Sequence, residues 1–238
     1  MIQIIDNPPS GSPEKRKPAM QTYSMPPRVW HDTSTQTDAE VFLHAFNVLI
    51  QTDEHASGKL ISMGIWNLES LAHDRDYGVK LVQPEPLRHL LLLARTNVGW
   101  QIRQGAARVI GSSLWNNLEA MEAVKGSHLI TTLVEILKAE KHTGVRASLI
   151  FAMSAAASVE DEMKEFMDSN GSQFLRDIFQ KDEPEVKAKC ATFVQDNLLW
   201  NRNLVRVDEE LSRWCQIFQE SLYQGTADIA ATKILESL

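Results

Sequence analysis

Cysteine is scarce in this 238-residue chain: Cys190 and Cys215 are the two, and neither belongs to a CxxC pair. That removes support for a structural zinc site, and Cys190, on an apolar helical stripe, reads as a small buried hydrophobe. Long apolar runs are missing too. Nothing approaches the eighteen or so residues of a membrane span, and the opening MIQIIDNPPSGSPEKRKP holds no apolar stretch of secretory-signal length. A basic surplus is also lacking, with 24 Lys+Arg against 31 Asp+Glu and a net charge of −7. Residues 1–35 hold four basic and three acidic side chains, so the remainder stands at −8. Phosphate backbones need clustered Lys and Arg, so a nucleic-acid partner is not expected. The dense basic run Lys15-Arg16-Lys17 reads as a solvated tail.

The usual traces of catalysis are absent as well. No HExxH helix, GxSxG elbow or GxGxxG turn occurs, and Gly58-Lys59 is followed by Leu60 where a phosphate loop needs Ser or Thr. The seven histidines form no i, i+4 pair. His73-Asp74-Arg75-Asp76 comes nearest to a metal cluster, but Arg75 would repel a cation, and the run reads as a helix terminus and polar loop. No catalytic residue, metal or cofactor is expected.

Proline is unevenly spread. Pro8, Pro9, Pro13, Pro18, Pro26 and Pro27 lie before Gln36 among Ser, Thr and Gly, which predicts a disordered arm over residues 1–36. From residue 37 to 238 the texture predicts one all-α domain. Leu and Ala dominate, and apolar residues recur at three- and four-residue steps.

That domain repeats itself. IRQGAARVIGSSLWNN, VRASLIFAMSAAASVE and VKAKCATFVQDNLLWN open at Ile102, Val145 and Val186, 43 and 41 residues apart, each on a β-branched residue followed by a base. An earlier copy from Leu60 sets Trp66 where Arg108 falls. Upstream of the later copies stand shorter segments from Leu87, Leu129 and Phe174, after the turn signals Pro84-Glu85-Pro86, Gly126-Ser127 and Asn170-Gly171-Ser172. Helical units of this length predict an armadillo-like solenoid of about four repeats. Leu211–Gln224 and Ala227–Leu238 would supply the helical C-terminal cap that a terminal repeat requires.

Each long helix splits into faces. Ile61, Ile65, Leu68 and Ala72 make one core stripe; Ile102, Ala106, Ile110 and Leu114 the next. Val145, Leu149, Met153 and Ala156 follow, then Val186, Cys190, Val194 and Leu198. The opposite faces present Trp66, Ser70 and His73; Arg108, Ser112 and Trp115; Phe151, Ala155 and Ser158; and Lys189, Thr192 and Asp196. Equivalent faces in a solenoid line one surface, and Trp, Phe and Arg there suit a protein interface. Trp66, His73, Arg108, Ser112, Trp115, Phe151 and Asp196 are the expected partner contacts.

The runs Leu68–Leu91, Ala106–Val124 and Val145–Met167, in that order and register, resemble the armadillo-type nucleotide exchange factors of heat-shock protein 70 chaperones. The closing Ser212–Leu222 segment looks closest to the fungal SIL-type branch, which acts on BiP in the endoplasmic reticulum. The similarity covers about Ile61 to Leu204 and includes A-A-x-V-I-G followed by N-N, then R-A-S-L-I-F-A-M-S. It implies a monomeric co-chaperone that grips the chaperone's ATPase domain and speeds ADP release. It also implies the endoplasmic reticulum lumen if a signal precedes the chain, and otherwise the cytosol. Asn170-Gly171-Ser172 is a candidate glycosylation sequon. The competing reading, an armadillo adaptor for an extended peptide, usually carries Asn at one repeated long-helix position. Here that position holds Ser70, Ser112, Ala155 and Asp196. An enzyme on a helical scaffold has no motif in its favour.

Overall fold

The computed structural model describes residues 36–50, 58–97, 99–199 and 207–223. The expected arm therefore lies outside the described residues apart from Gln36, and so does the expected closing segment Ala227–Leu238. Among the described residues the fold is all-α, with twelve α-helices, one π-helical turn and no strand.

The first helix, α1 (Asp38–Ile50), starts because Thr37 and Glu40 form a capping box: the Glu40 carboxylate accepts hydrogen bonds from the Thr37 N–H at 2.8 Å and hydroxyl at 3.0 Å. It packs against α2 (Gly58–Leu71) and α4 (Pro84–Arg95). A threefold pattern then repeats, each time a short, a middle and a long helix. The first set is α3 (Arg75–Leu81), α4 and α5 (Trp100–Leu114). The second is α6 (Leu118–Ala123), α7 (Leu129–Ala139) and α8 (Thr143–Ala156). The third is α9 (Glu160–Asp168), α10 (Gly171–Lys181) and α11 (Pro184–Phe193), which runs into the π-helical turn Val194–Leu199. The long helices form a row, α2 on α5, α5 on α8 and α8 on α11, with α4, α7 and α10 each packed on its own long helix.

The expected core stripes are all buried, from Ile61 through Leu198. Burying a side chain of Leu or Ile size stabilises the fold by roughly 1.5–3 kcal/mol, so the row is held mainly by these stripes. Burial also pushes the Cys190 thiol pKa up, consistent with an inert apolar filler.

Two local expectations are corrected. Pro84 is not a turn ahead of the helix but the first residue of α4, where a missing N–H costs nothing. His73–Asp76 follows a helix terminus as expected, but the polar loop is cut short by α3, which Asp74 caps, accepting from the Asp76 and Tyr77 N–H groups at 3.0 and 3.3 Å.

The repeated base in the first turn of α5 and α8 holds neighbouring repeats together. Arg103 of α5 donates to Glu140, the residue that ends α7, with Nε 2.7 Å from Oε2. Arg146 of α8 does the same to Asp182, which ends α10, with Nε 2.8 Å from Oδ2. Burial tends to raise the Glu140 pKa, but hydrogen bonds from Arg103 and from the His142 and Lys141 N–H groups, with the Arg103 charge, bring it below the usual value. The array closes on α12 (Val207–Tyr223), which packs on α10 and the π turn. Its Trp214 and Phe218 stack edge-on against Phe179, and buried Arg176 pairs with Glu210.

Candidate functional site

The side chains expected to form a partner surface come from four successive long helices and their ends, and pairwise interactions connect several of them. On α2, Glu69 reaches across to α5 and pairs with Arg108, Nε to Oε1 3.0 Å. Desolvation raises the Glu69 pKa, and the Arg108 charge partly offsets it. His73 follows the end of α2, exposed. Desolvation of its ring and then the Arg108 charge lower its pKa, which favours the neutral imidazole at pH 7. Trp66 is half-buried on α2, one turn before Glu69.

Trp115 is placed by the way α5 ends. Its N–H still bonds the Gly111 carbonyl at 3.0 Å, and the next residue, Asn116, turns the chain into the left-handed region at φ 58°. Asn117 then caps α6, accepting from the Ala120 N–H at 3.2 Å, and its amide donates to the Arg75 carbonyl at 3.0 Å. The Asn-Asn pair is thus a positioning device for Trp115. The indole packs against Phe151 of α8, ring centroids 5.9 Å apart and tilted by 39°.

Phe151 passes the contact on. The Lys189 ammonium of α11 lies 5.8 Å from its ring centroid. Desolvation lowers the Lys189 pKa, opposed by the Asp196 charge. Asp196, in the π turn, is pushed up to about 6 by desolvation, with Lys189 pulling the other way. The π turn is anchored from beneath: buried Asn197 donates to the Ser154 hydroxyl of α8 at 2.9 Å and to the Phe193 carbonyl at 3.3 Å. Single π turns of this kind recur at functional sites.

The structure therefore sets His73 within the field of the Arg108 charge and packs Trp115 on Phe151, with Asp196 linked through Lys189. Ser112 is different, since it is only 5% exposed. The second half of α5 has neighbours on several sides, α2, α3, α4 and α8, so little of it remains for solvent. Sequence reasoning did not single out Glu69, and it set Lys189 on the presented face without naming it among the expected contacts. A signal existed: each is a charge within one or two turns of a face residue, and each has its opposite on the same or the next long helix. Asn170, the sequon residue, is exposed at φ 59° just ahead of α10, while Ser172 is buried and donates to Glu210 at 2.6 Å.

Among the described residues no group of three or more His, Cys, Asp or Glu side chains is placed to hold a metal ion. None of the described helices is long and apolar enough to cross a membrane.

Comparison with known proteins adds two findings. The family model described as "Nucleotide exchange factor SIL1" matches residues 38–236. A curated protein of Drosophila melanogaster, "Nucleotide exchange factor Sil1", is 26% identical over 148 residues, covering 60% of this chain and 34% of that protein. The chain thus aligns with about a third of the length of that relative.

Proposed function

Because the chain belongs to the SIL1 family of nucleotide exchange factors, we propose that it grips the ATPase domain of an Hsp70-type chaperone, BiP in the first instance, and promotes ADP release. The observation that supports this beyond family membership is the joined face running from Glu69–Arg108 through Trp115–Phe151 to Lys189 and Asp196. Its contacts are Trp66, His73, Arg108, Trp115, Phe151 and Asp196, together with Glu69 and Lys189. Aromatic and arginine side chains in half-buried positions lose little freedom on docking and exclude water well.

The mechanism needs a curved or flat rigid surface and no reacting group. A partner that binds the open arrangement of a nucleotide cleft more tightly than the closed one shifts the chaperone toward the open state. By reciprocity it weakens nucleotide binding by the same coupling free energy, and ATP rebinding releases it. The unit of three helices supports an armadillo-like reading of the array. The endoplasmic reticulum lumen is the proposed compartment, with Asn170 as a glycan acceptor there. A mobility shift on endoglycosidase treatment, abolished in Asn170→Gln, checks that assignment.

The test of function is release of a fluorescent ADP analogue from BiP or a cytosolic Hsp70. Added protein should accelerate release from one of them. If neither responds, the exchange reading is wrong.

A further inference from the structure

A second surface lies on α4 and α7 and shares no lining residue with the face described above. An open groove of about 420 Å³ runs between these helices, floored by Leu87, Leu91, Leu92 and Ile136 and flanked by Arg88 and Arg95. That volume suits a few side chains of a bound segment.

Its make-up departs from the rest of the chain. Arg88, Leu91, Leu92 and Arg95 fall at i, i+3, i+4 and i+7 on α4, one stripe of the helix. A stripe turned to water normally carries charges throughout, yet Leu92 stands 49% exposed at its centre. Arg88 and Arg95 lie two turns apart, about 10 Å along the axis, at either side of these leucines. The protein holds 31 acidic residues, but none lines the groove. Among the described residues, no carboxylate is paired with Arg88 or Arg95.

We propose that this groove docks a short segment of another protein that carries apolar side chains flanked by acidic ones. The apolar side chains cover Leu91 and Leu92, and the carboxylates meet Arg88 and Arg95. Guanidinium groups favour carboxylates through paired hydrogen bonds, and a local basic edge on an acidic protein steers acidic partners to that spot. A second copy of this chain is a poorer occupant, because a stable dimer buries roughly 800 Å² per partner, far more than a groove for a few side chains supplies.

The experiment uses the full chain and a short fluorescein-labelled peptide of leucine and glutamate, followed by fluorescence anisotropy. Saturable binding is expected, with no displacement by a leucine–lysine peptide of the same length. Leu92→Asp should weaken it about tenfold or more, and Arg88→Glu or Arg95→Glu about fivefold each. All three side chains are exposed, so circular dichroism should report an unchanged fold. Absent binding, or binding indifferent to all three changes, overturns the proposal. So does a dimer in sedimentation that Leu92→Asp dissociates, since the occupant would then be a second copy. Nucleotide exchange by these variants should match the parent, so the groove and the exchange face fail or succeed separately.

Discussion

The two ends of the long helices use similar residues for different purposes. At the start of α5 and α8, Arg103 and Arg146 reach into the next repeat and meet Glu140 and Asp182, with the arginine side chain only 17% exposed in each pair. Toward the far end the same helices carry Arg108 and Trp115, and Phe151, which stay half-buried beside Glu69 and Lys189. The first set is consumed in holding the row together. The second retains surface. A repeat can thus fix its own geometry with one turn and offer a partner another, and the two roles should separate under mutation.

The sharpest division should come from Arg146→Ala. It leaves Asp182 without its guanidinium and removes donors to the Leu137 and Glu140 carbonyls, and breaking a mostly buried pair costs about 3 kcal/mol. Urea denaturation should show that loss, while the remaining folded protein still drives exchange; a variant as stable as the parent would dissolve the distinction.

Gly111→Ala probes packing within the far end itself. A Cβ there would stand 2.5 Å from the Phe151 ring and 3.2 Å from the Ala152 backbone, so α5 and α8 must part or the ring must move. Overpacking of this kind costs about 2 kcal/mol, and because Phe151 is displaced, chaperone affinity should fall along with stability. Intact affinity in a destabilised variant would take Phe151 off the interface.

Trp115→Ala should act mostly on binding, lowering chaperone affinity about tenfold, or about 1.4 kcal/mol, with a smaller change in the urea midpoint. The smallest effect belongs to Asp196→Asn. The Asp196 carboxyl has a pKa of about 6 in the fold against 3.8 ordinarily. Between those values the folded state binds more protons than the unfolded one, so its contribution to stability grows as pH falls and is unfavourable above 6. Asparagine should therefore stabilise the protein at pH 7 by about 1 kcal/mol after allowing for its partial exposure. The advantage should fade as pH drops to 4, and a constant gap across that range would contradict the assigned cause. Exchange activity should fall in the same variant, because the half-buried charge is proposed to contact the partner.

Much of the fold was legible in the chain. The register of Ile102, Val145 and Val186 located three long helices, and the i, i+4 stripes identified core residues through Leu198, because helical period and burial are written in residue type. The short helices α3, α6 and α9 were not legible. At six to nine residues they are too brief to display a period of 3.6, and the cap of α6 is also tied by a tertiary bond from Asn117 to the Arg75 carbonyl. The candidate face was half legible. A helical wheel placed Arg108, Trp115 and Phe151 correctly relative to the core stripes, but it assumes one buried side, and α5 is enclosed on several, which hid the burial of Ser112. The pairing of Glu69 with Arg108, and of Lys189 with the Phe151 ring, required knowing which helices are neighbours.

The clasps at Arg103 and Arg146 also have a direction. Each base precedes its acid in the chain, by 37 residues for Glu140 and 36 for Asp182. During synthesis α5 is made before the carboxylate that Arg103 needs, and α8 before the one for Arg146. Every repeat therefore emerges incomplete and is finished by its successor, until α12 supplies Glu210 to Arg176. The clasps thus all point one way along the array, each base reaching forward to an acid of the following unit, and the last acid sits on a helix that belongs to no repeat.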